Sequence, residues 1–172
     1  KYPSDRDIKE VGVRGIFISN YVDWSGNSNF KIAKQYGFKE NEEKFDRTYR
    51  LMSNLDDMHE NGIHDYMKYI KFGYGRATDH VIKDIRDGAM TREKAIDVVM
   101  RMDCIKPNDL NRWLKYIDMT EDEFDIIADT FRDPRVWWIK DGRWWKNNVD
   151  GESSSYEEVR LSKPLWNKWF NV

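Results

Sequence analysis

Apolar side chains recur every three or four positions through the middle of the chain, a spacing that predicts a succession of short amphipathic helices. Ile63, Tyr66, Met67 and Ile70 share one face, and Val81, Ile82 and Ile85 share another on a segment that stops at Gly88. Thr91 stands at an N-cap position ahead of Ala95, Ile96, Val99 and Met100. Leu110, Trp113, Leu114 and Ile117 mark the next helix. Thr120-Glu-Asp-Glu123 then reads as a capping box in front of Phe124, Ile127, Ala128 and Phe131. Asp133-Pro134 stops that helix, because the residue before proline is pushed out of the helical region. Upstream, a helix from about Asn29 to Tyr36 closes at Gly37. Residues 39–50 are charge-dense and read as loop.

Two stretches leave the helical period. Residues 11–19, rich in β-branched and aromatic types, predict one short strand. Residues 136–145 predict a hairpin turned at Asp141-Gly142, with Trp137 and Trp144 packed inward. Residues 147–155 are polar and read as a joint, followed by an end carrying Leu165, Trp166, Trp169 and Phe170. The expected fold is therefore mainly α, a helical domain with one N-terminal strand and a short C-terminal β-hairpin. Its expected parts are residues 1–26, 27–146 and 147–172.

Composition narrows the class. In 172 residues, 8 Trp, 9 Tyr and 8 Phe suffice for a core of moderate size, while a 35% charged fraction implies much solvated surface. A net charge of −2 leaves no basic footprint for nucleic acid. No apolar run approaches the ~18–20 residues that span a bilayer. The lone cysteine, Cys104, excludes an internal disulfide framework and points to a reducing compartment, with the cytoplasm as the expected location.

The densest chemistry lies in Tyr69-Ile-Lys-Phe-Gly-Tyr-Gly-Arg-Ala-Thr-Asp-His80. A helix runs out at Phe72, two glycines permit unusual backbone angles, and Arg76 opens the next helix with Thr78 as its expected N-cap. Free amides at a helix start beside a guanidinium would suit a phosphate or carboxylate. The other reading is a glycine-broken turn whose charges face water. His59, His64 and His80 fall near Asp56, Asp57 and Asp79, but His59 and His64 are five apart, on different faces of a straight helix, and no metal site is expected.

Taken in order, several motifs resemble the C-terminal part of the N-acetyl sugar amidotransferase family of PP-loop ATP pyrophosphatases. They are Val13-Arg-Gly-Ile-Phe-Ile-Ser-Asn-Tyr21 with Trp24, Tyr36-Gly-Phe38, Ser53-Asn-Leu-Asp-Asp-Met-His59, Gly62-Ile-His-Asp-Tyr-Met-Lys68, the 69–80 segment, and Ile85-Arg-Asp-Gly-Ala-Met-Thr-Arg-Glu-Lys-Ala95. Tyr116-Ile-Asp-Met-Thr-Glu121, Trp137 and Asp141-Gly142 extend the likeness to about residue 146. The family's phosphate loop, of Ser-Gly-Gly-Lys-Asp-Ser type, does not occur here. The resemblance implies a C-terminal fragment, inactive alone, whose 11–19 strand would close a truncated α/β nucleotide-binding sheet.

The implied reaction converts a sugar acetamido group to acetamidino for bacterial surface glycan. ATP with Mg²⁺ would serve the full-length enzyme and no cofactor would serve this chain alone. A nucleotide-linked N-acetyl sugar would be substrate, and glutaminase and cyclase-like subunits would supply ammonia. Matching residues map onto those tasks. His64, Asp79 and His80 would handle protons, the last two otherwise reading as a helix cap and a surface imidazole. Asn54, Asp56, Asp57, Lys68, Lys71 and Arg76 would bind the sugar substrate or its phosphates, and Asn20 and Tyr21 the nucleotide. Trp24 reads as loop packing. The alternative function is a non-catalytic helical module that binds a protein through its Trp-rich hairpin and tail.

Overall fold

A computed structural model describes residues 2–52 and 61–170. The chain divides into two units, Lys1–Lys39 and Glu40–Val172. In the first, α1 (Asp5–Val11) opens on a reciprocal Ser4–Asp7 capping box and closes on Gly12, which is left-handed at φ 75°. A 3-10 turn spans Ile18–Asn20, and α2 (Gly26–Gln35) starts at the Ser25 cap, three residues earlier than expected. The strand expected over residues 11–19 is not formed. Val11 is spent in α1, the turn claims Ile18, and the stretch between pairs with no neighbouring strand; without ladder partners an extended run is not a sheet element.

In the second unit, α3 (Asn61–Phe72) buries Ile63, Tyr66 and Ile70 of the predicted face together with Tyr69, and Met67 is half-buried. It ends at Gly73, left-handed at φ 74°, where a Cβ would come within 2.5 Å of Val136 Cγ1. Next comes α4 (Arg76–Arg86), which buries Ala77, His80, Val81 and Asp84 and leaves Ile82 and Ile85 exposed. The expected apolar face was thus rotated by about one position. α5 (Arg92–Met102), capped by Thr91 as predicted, packs Ala95, Val98 and Val99 against α4 to make a small second core.

The larger core joins α3 to α6 (Leu110–Tyr116), α7 (Glu121–Asp129) and the sheet. The Thr120 capping box is present, but Ile127 and Phe131 are exposed while Phe124 and Ala128 are buried. β1 (Trp137–Lys140) and β2 (Arg143–Asn147) form the predicted hairpin, with Asp141 and Gly142 both at positive φ, as a primed turn requires. Residues 147–155 are no joint. They finish β2, turn, and begin β3 (Ser153–Glu158), which completes an antiparallel β1-β2-β3 sheet. α8 (Lys163–Phe170) follows, and Phe170 packs edge-on to Trp144 at 4.8 Å.

One buried guanidinium, just past the end of α7, ties that helix to the sheet. Arg132 donates to Asp129 at 2.9 Å and lies over the rings of Trp137 and Trp144, at 4.2 and 4.9 Å. Both tryptophans are almost wholly buried. The guanidinium thus exchanges water for two indole faces and a carboxylate.

The start of α4 departs most from expectation. Its N-cap position is Gly75, not Thr78. The cap is supplied from α5's end. The Asp103 carboxylate accepts from the amides of Gly75 (2.8 Å), Ala77 (3.0 Å) and Thr78 (3.4 Å) and from the Thr78 hydroxyl (2.5 Å). Gly75 is extended rather than left-handed, and its need for glycine is spatial: a Cβ would lie 2.8 Å from Asp103 Oδ1. Replacing Asp103 by Asn puts an NH₂ against one set of these donors. The expected cost is about 2–4 kcal/mol, above an exposed cap because the group is buried, read as a lowered urea midpoint with an unchanged slope. A loss under about 0.5 kcal/mol would overturn this assignment.

Candidate functional site

A cleft of about 210 Å³ opens in the second unit, between the irregular strap of residues 40–48 and the first turns of α3, α4 and α6. Its polar walls include Asn41, Asp46, Asn61, Asp65, Arg76, His80 and Asn108. The strap is charge-dense, as its sequence shows, yet it is pinned at both sides. Asp46 accepts from the amide and the side chain of Asn108, each at 2.7 Å. Arg47, 2% exposed, donates to the carbonyls of Asp103 (2.5 Å), Asp65 (3.3 Å) and Ile105, with Tyr66 and Tyr69 stacked beside it. Burial draws this guanidinium's pKa down, and Asp103 and Asp65 oppose that.

Arg76 grips Asp65 in bidentate fashion, Nε lying 3.0 and 2.9 Å from the two carboxylate oxygens and Nη2 2.9 Å from Oδ1. Behind them, His80 Nδ1 is 2.6 Å from Thr48 Oγ1. Burial foremost, then the positive charges of Arg50, Arg76 and Lys83, hold the His80 imidazole down to about 4. At neutral pH it is an uncharged hydrogen-bonding group, far from the pKa that suits a general base. Beside it, Asp84 takes Arg50 at 2.5 Å and the Tyr49 hydroxyl.

The candidate residues therefore divide. Arg76 and His80 share the cleft, and His64, largely solvent-exposed, touches its rim through Asp65 at 3.2 Å. Lys68 and Asp79 pair with each other beside Tyr74 and do not line the cleft. Lys71 lies over Phe72 and borders a different groove with Phe131 and Arg135. Asn20 and Tyr21 are exposed in the first unit. Asn54, Asp56, Asp57 and His59 lie outside the described residues.

The anion site expected at the start of α4 is filled from within, its amides by Asp103 and its guanidinium by Asp65. Sequence reading missed Arg47, Thr48, Asp65 and Asp103. A signal existed for Asp65: Asn61, Asp65 and Tyr69 recur at i+4 along the buried side of α3.

Among the described residues, no group of three His, Cys, Asp or Glu side chains is arranged to hold a metal ion. None of the described helices is long and apolar enough to cross a membrane.

These features define a mainly helical module with a small terminal sheet and a polar cleft locked by internal ion pairs. The chain belongs to the family described as LPS biosynthesis protein WbpG-like, C-terminal domain, whose model matches residues 28–149. No curated protein matches the chain.

The His80 environment gives a pH dependence. An unfolded imidazole titrates near 6.5, whereas the folded one titrates at about 4. Between these values the unfolded chain binds a proton that the fold refuses. Stability is therefore full above 6.5 and is lost as pH falls toward 4. Urea unfolding should show a loss on the order of 1–3 kcal/mol across that window, and His80→Gln should flatten it. An identical pH slope in the variant would refute the assignment.

Proposed function

We propose that this chain is the acceptor-sugar region of an ATP-dependent amidotransferase that converts the acetamido group of a nucleotide-linked sugar to acetamidino during lipopolysaccharide synthesis in the cytoplasm. The family and the ordered motifs support this reading, and the cleft carries it. At about 210 Å³ it falls below the ~300–1,000 Å³ of sites that enclose whole drug-sized ligands, so it suits one sugar ring rather than a complete sugar nucleotide. Its walls offer both signs of hydrogen-bonding partner that a ring of hydroxyls requires. Asn61 supplies an amide, Asn108 the carbonyl of a side chain whose NH₂ is tied to Asp46, and Arg76 is held in place by Asp65.

The start of α4 offers no seat for the phosphates of ATP. Its amides already serve Asp103. No step of the nucleotide chemistry is therefore assigned to them. In this proposal the nucleotide is held mainly outside this chain, with Asn20 and Tyr21 as its contacts here. Glutaminase and cyclase-like subunits supply ammonia, Asn54, Asp56 and Asp57 bind the sugar, and Lys68 serves its phosphates, while Lys71 borders another groove and takes no part. His64, which is exposed, is the residue placed to handle protons. His80 and Asp79 act by position, through Thr48 and Lys68. The alternative, a module that binds a protein through its Trp-rich hairpin and tail, would have to use Trp138 and Trp145, since Trp137 and Trp144 are core.

Arg76→Lys keeps the charge but gives up the bidentate grip. In the enzyme containing this chain it should lower kcat/KM for the sugar by roughly 10- to 100-fold, the equivalent of one charge-assisted hydrogen bond, with the circular dichroism spectrum unchanged. Activity within a few-fold of wild type would remove Arg76 from the site.

A further inference from the structure

The sheet has a second face. Trp137, Ile139, Trp144 and Lys146 point into the core, so alternation turns Trp138, Lys140, Arg143 and Trp145 outward. Trp138 and Trp145 are directly opposed in register, and neither belongs to the core cluster. Both are half-buried and lie on the same outer face of neighbouring strands. The Trp145 ring is fixed by its Nε1–H, which donates to the Lys140 carbonyl at 3.2 Å, and the Lys140 ammonium lies 5.1 Å from its centroid. Ser155 stands opposite Trp145, and Ser153 opposite Asn147, giving the platform a hydroxyl and amide fringe. Arg143 is exposed beside it.

We propose that this outer face binds an acidic pyranose sugar, its ring stacked on Trp138 and Trp145 and its carboxylate or phosphate met by Lys140. Two features favour that occupant. Two indoles offer roughly 150–250 Å² each at most, well short of the ~800 Å² a protein partner buries per side. A flat apolar face edged by Lys140, Arg143, serine hydroxyls and an amide matches an amphipathic ring with a negative substituent. Lys140 covers Trp145 through an exposed cation–π contact worth only ~0.5–1 kcal/mol, so the ammonium moves onto the anionic group as the ring takes its place. The platform shares no residue with the cleft, so it stands or falls independently of the amidotransferase reading.

The test is a titration of the ¹⁵N-labelled chain with trigalacturonate and, separately, with neutral maltotriose, following the indole Nε1–H signals assigned through Trp138→Phe and Trp145→Phe. Trigalacturonate should shift both signals with a Kd near the millimolar range. Trp145→Ala should weaken binding at least about tenfold, and Trp138→Phe, which keeps an aromatic face, should retain most of it. Lys140→Met should reduce trigalacturonate to the level of maltotriose without changing the fold. Unmoved indole signals, shifts confined to the cleft, unaltered affinity in Trp145→Ala, or equal binding of the two sugars would each overturn the proposal.

Discussion

The structure of the second unit turns on one carboxylate. Asp103 is 3% exposed, and it sits where α5 ends and α4 begins. A helix start leaves unpaired amides that must find acceptors, and here three of them converge on Asp103 together with a hydroxyl. Its peptide carbonyl meanwhile receives Arg47. A single residue therefore settles the entry of α4, the exit of α5 and the seat of the strap. The glycine at position 75 follows from this arrangement, since any Cβ there would collide with the oxygen it caps. Helix capping is usually local in sequence; this one spans 28 residues.

The same economy governs the cleft. The arginines at and behind its base have internal partners: Arg76 with Asp65, Arg50 with Asp84, and Arg47 with main-chain carbonyls. Such pairs gain little net stability over apolar packing, because desolvation offsets attraction. Their value is geometric, for they hold rotamers that would otherwise be mobile. A ligand entering here meets oriented donors and acceptors rather than loose charge, which favours a neutral, hydroxylated guest. The second guanidinium lock, Arg132 between Trp137 and Trp144, serves the sheet in a comparable manner.

Much of the architecture was legible from spacing. The mainly α class, the face of α3, the Thr91 and Thr120 caps and the Asp141-Gly142 hairpin all follow from local rules, and each is present. Errors arose where tertiary contacts decide. Periodicity placed Ile82 and Ile85 inward, but α4 turns His80 and Asp84 inward to meet Thr48 and Arg50. The polar run after Asn147 looked like a joint because its serines carry no apolar signal, yet its backbone pairs with β2. The amides and guanidinium at Gly75–Arg76 suggest an open anion site, and nothing local reveals that Asp103 and Asp65 fill it. Of the candidate site residues, Arg76 and His80 meet at the cleft, while the half-buried Lys68 and Asp79 pair with each other instead.

The strap has a consequence for the order in which the chain assembles. The α4–α5 pair and the β-hairpins join neighbours in sequence, whereas Arg47 and Asp46 must reach partners 56 to 62 residues away. Contacts that close long loops form late and open early. The strap carries no helix or strand of its own, so it can open while the helices and the sheet stay native. Amide exchange at residues 46–48 would then report a local opening well below the global unfolding free energy, so a guest could enter by lifting the strap from a framework that never unfolds.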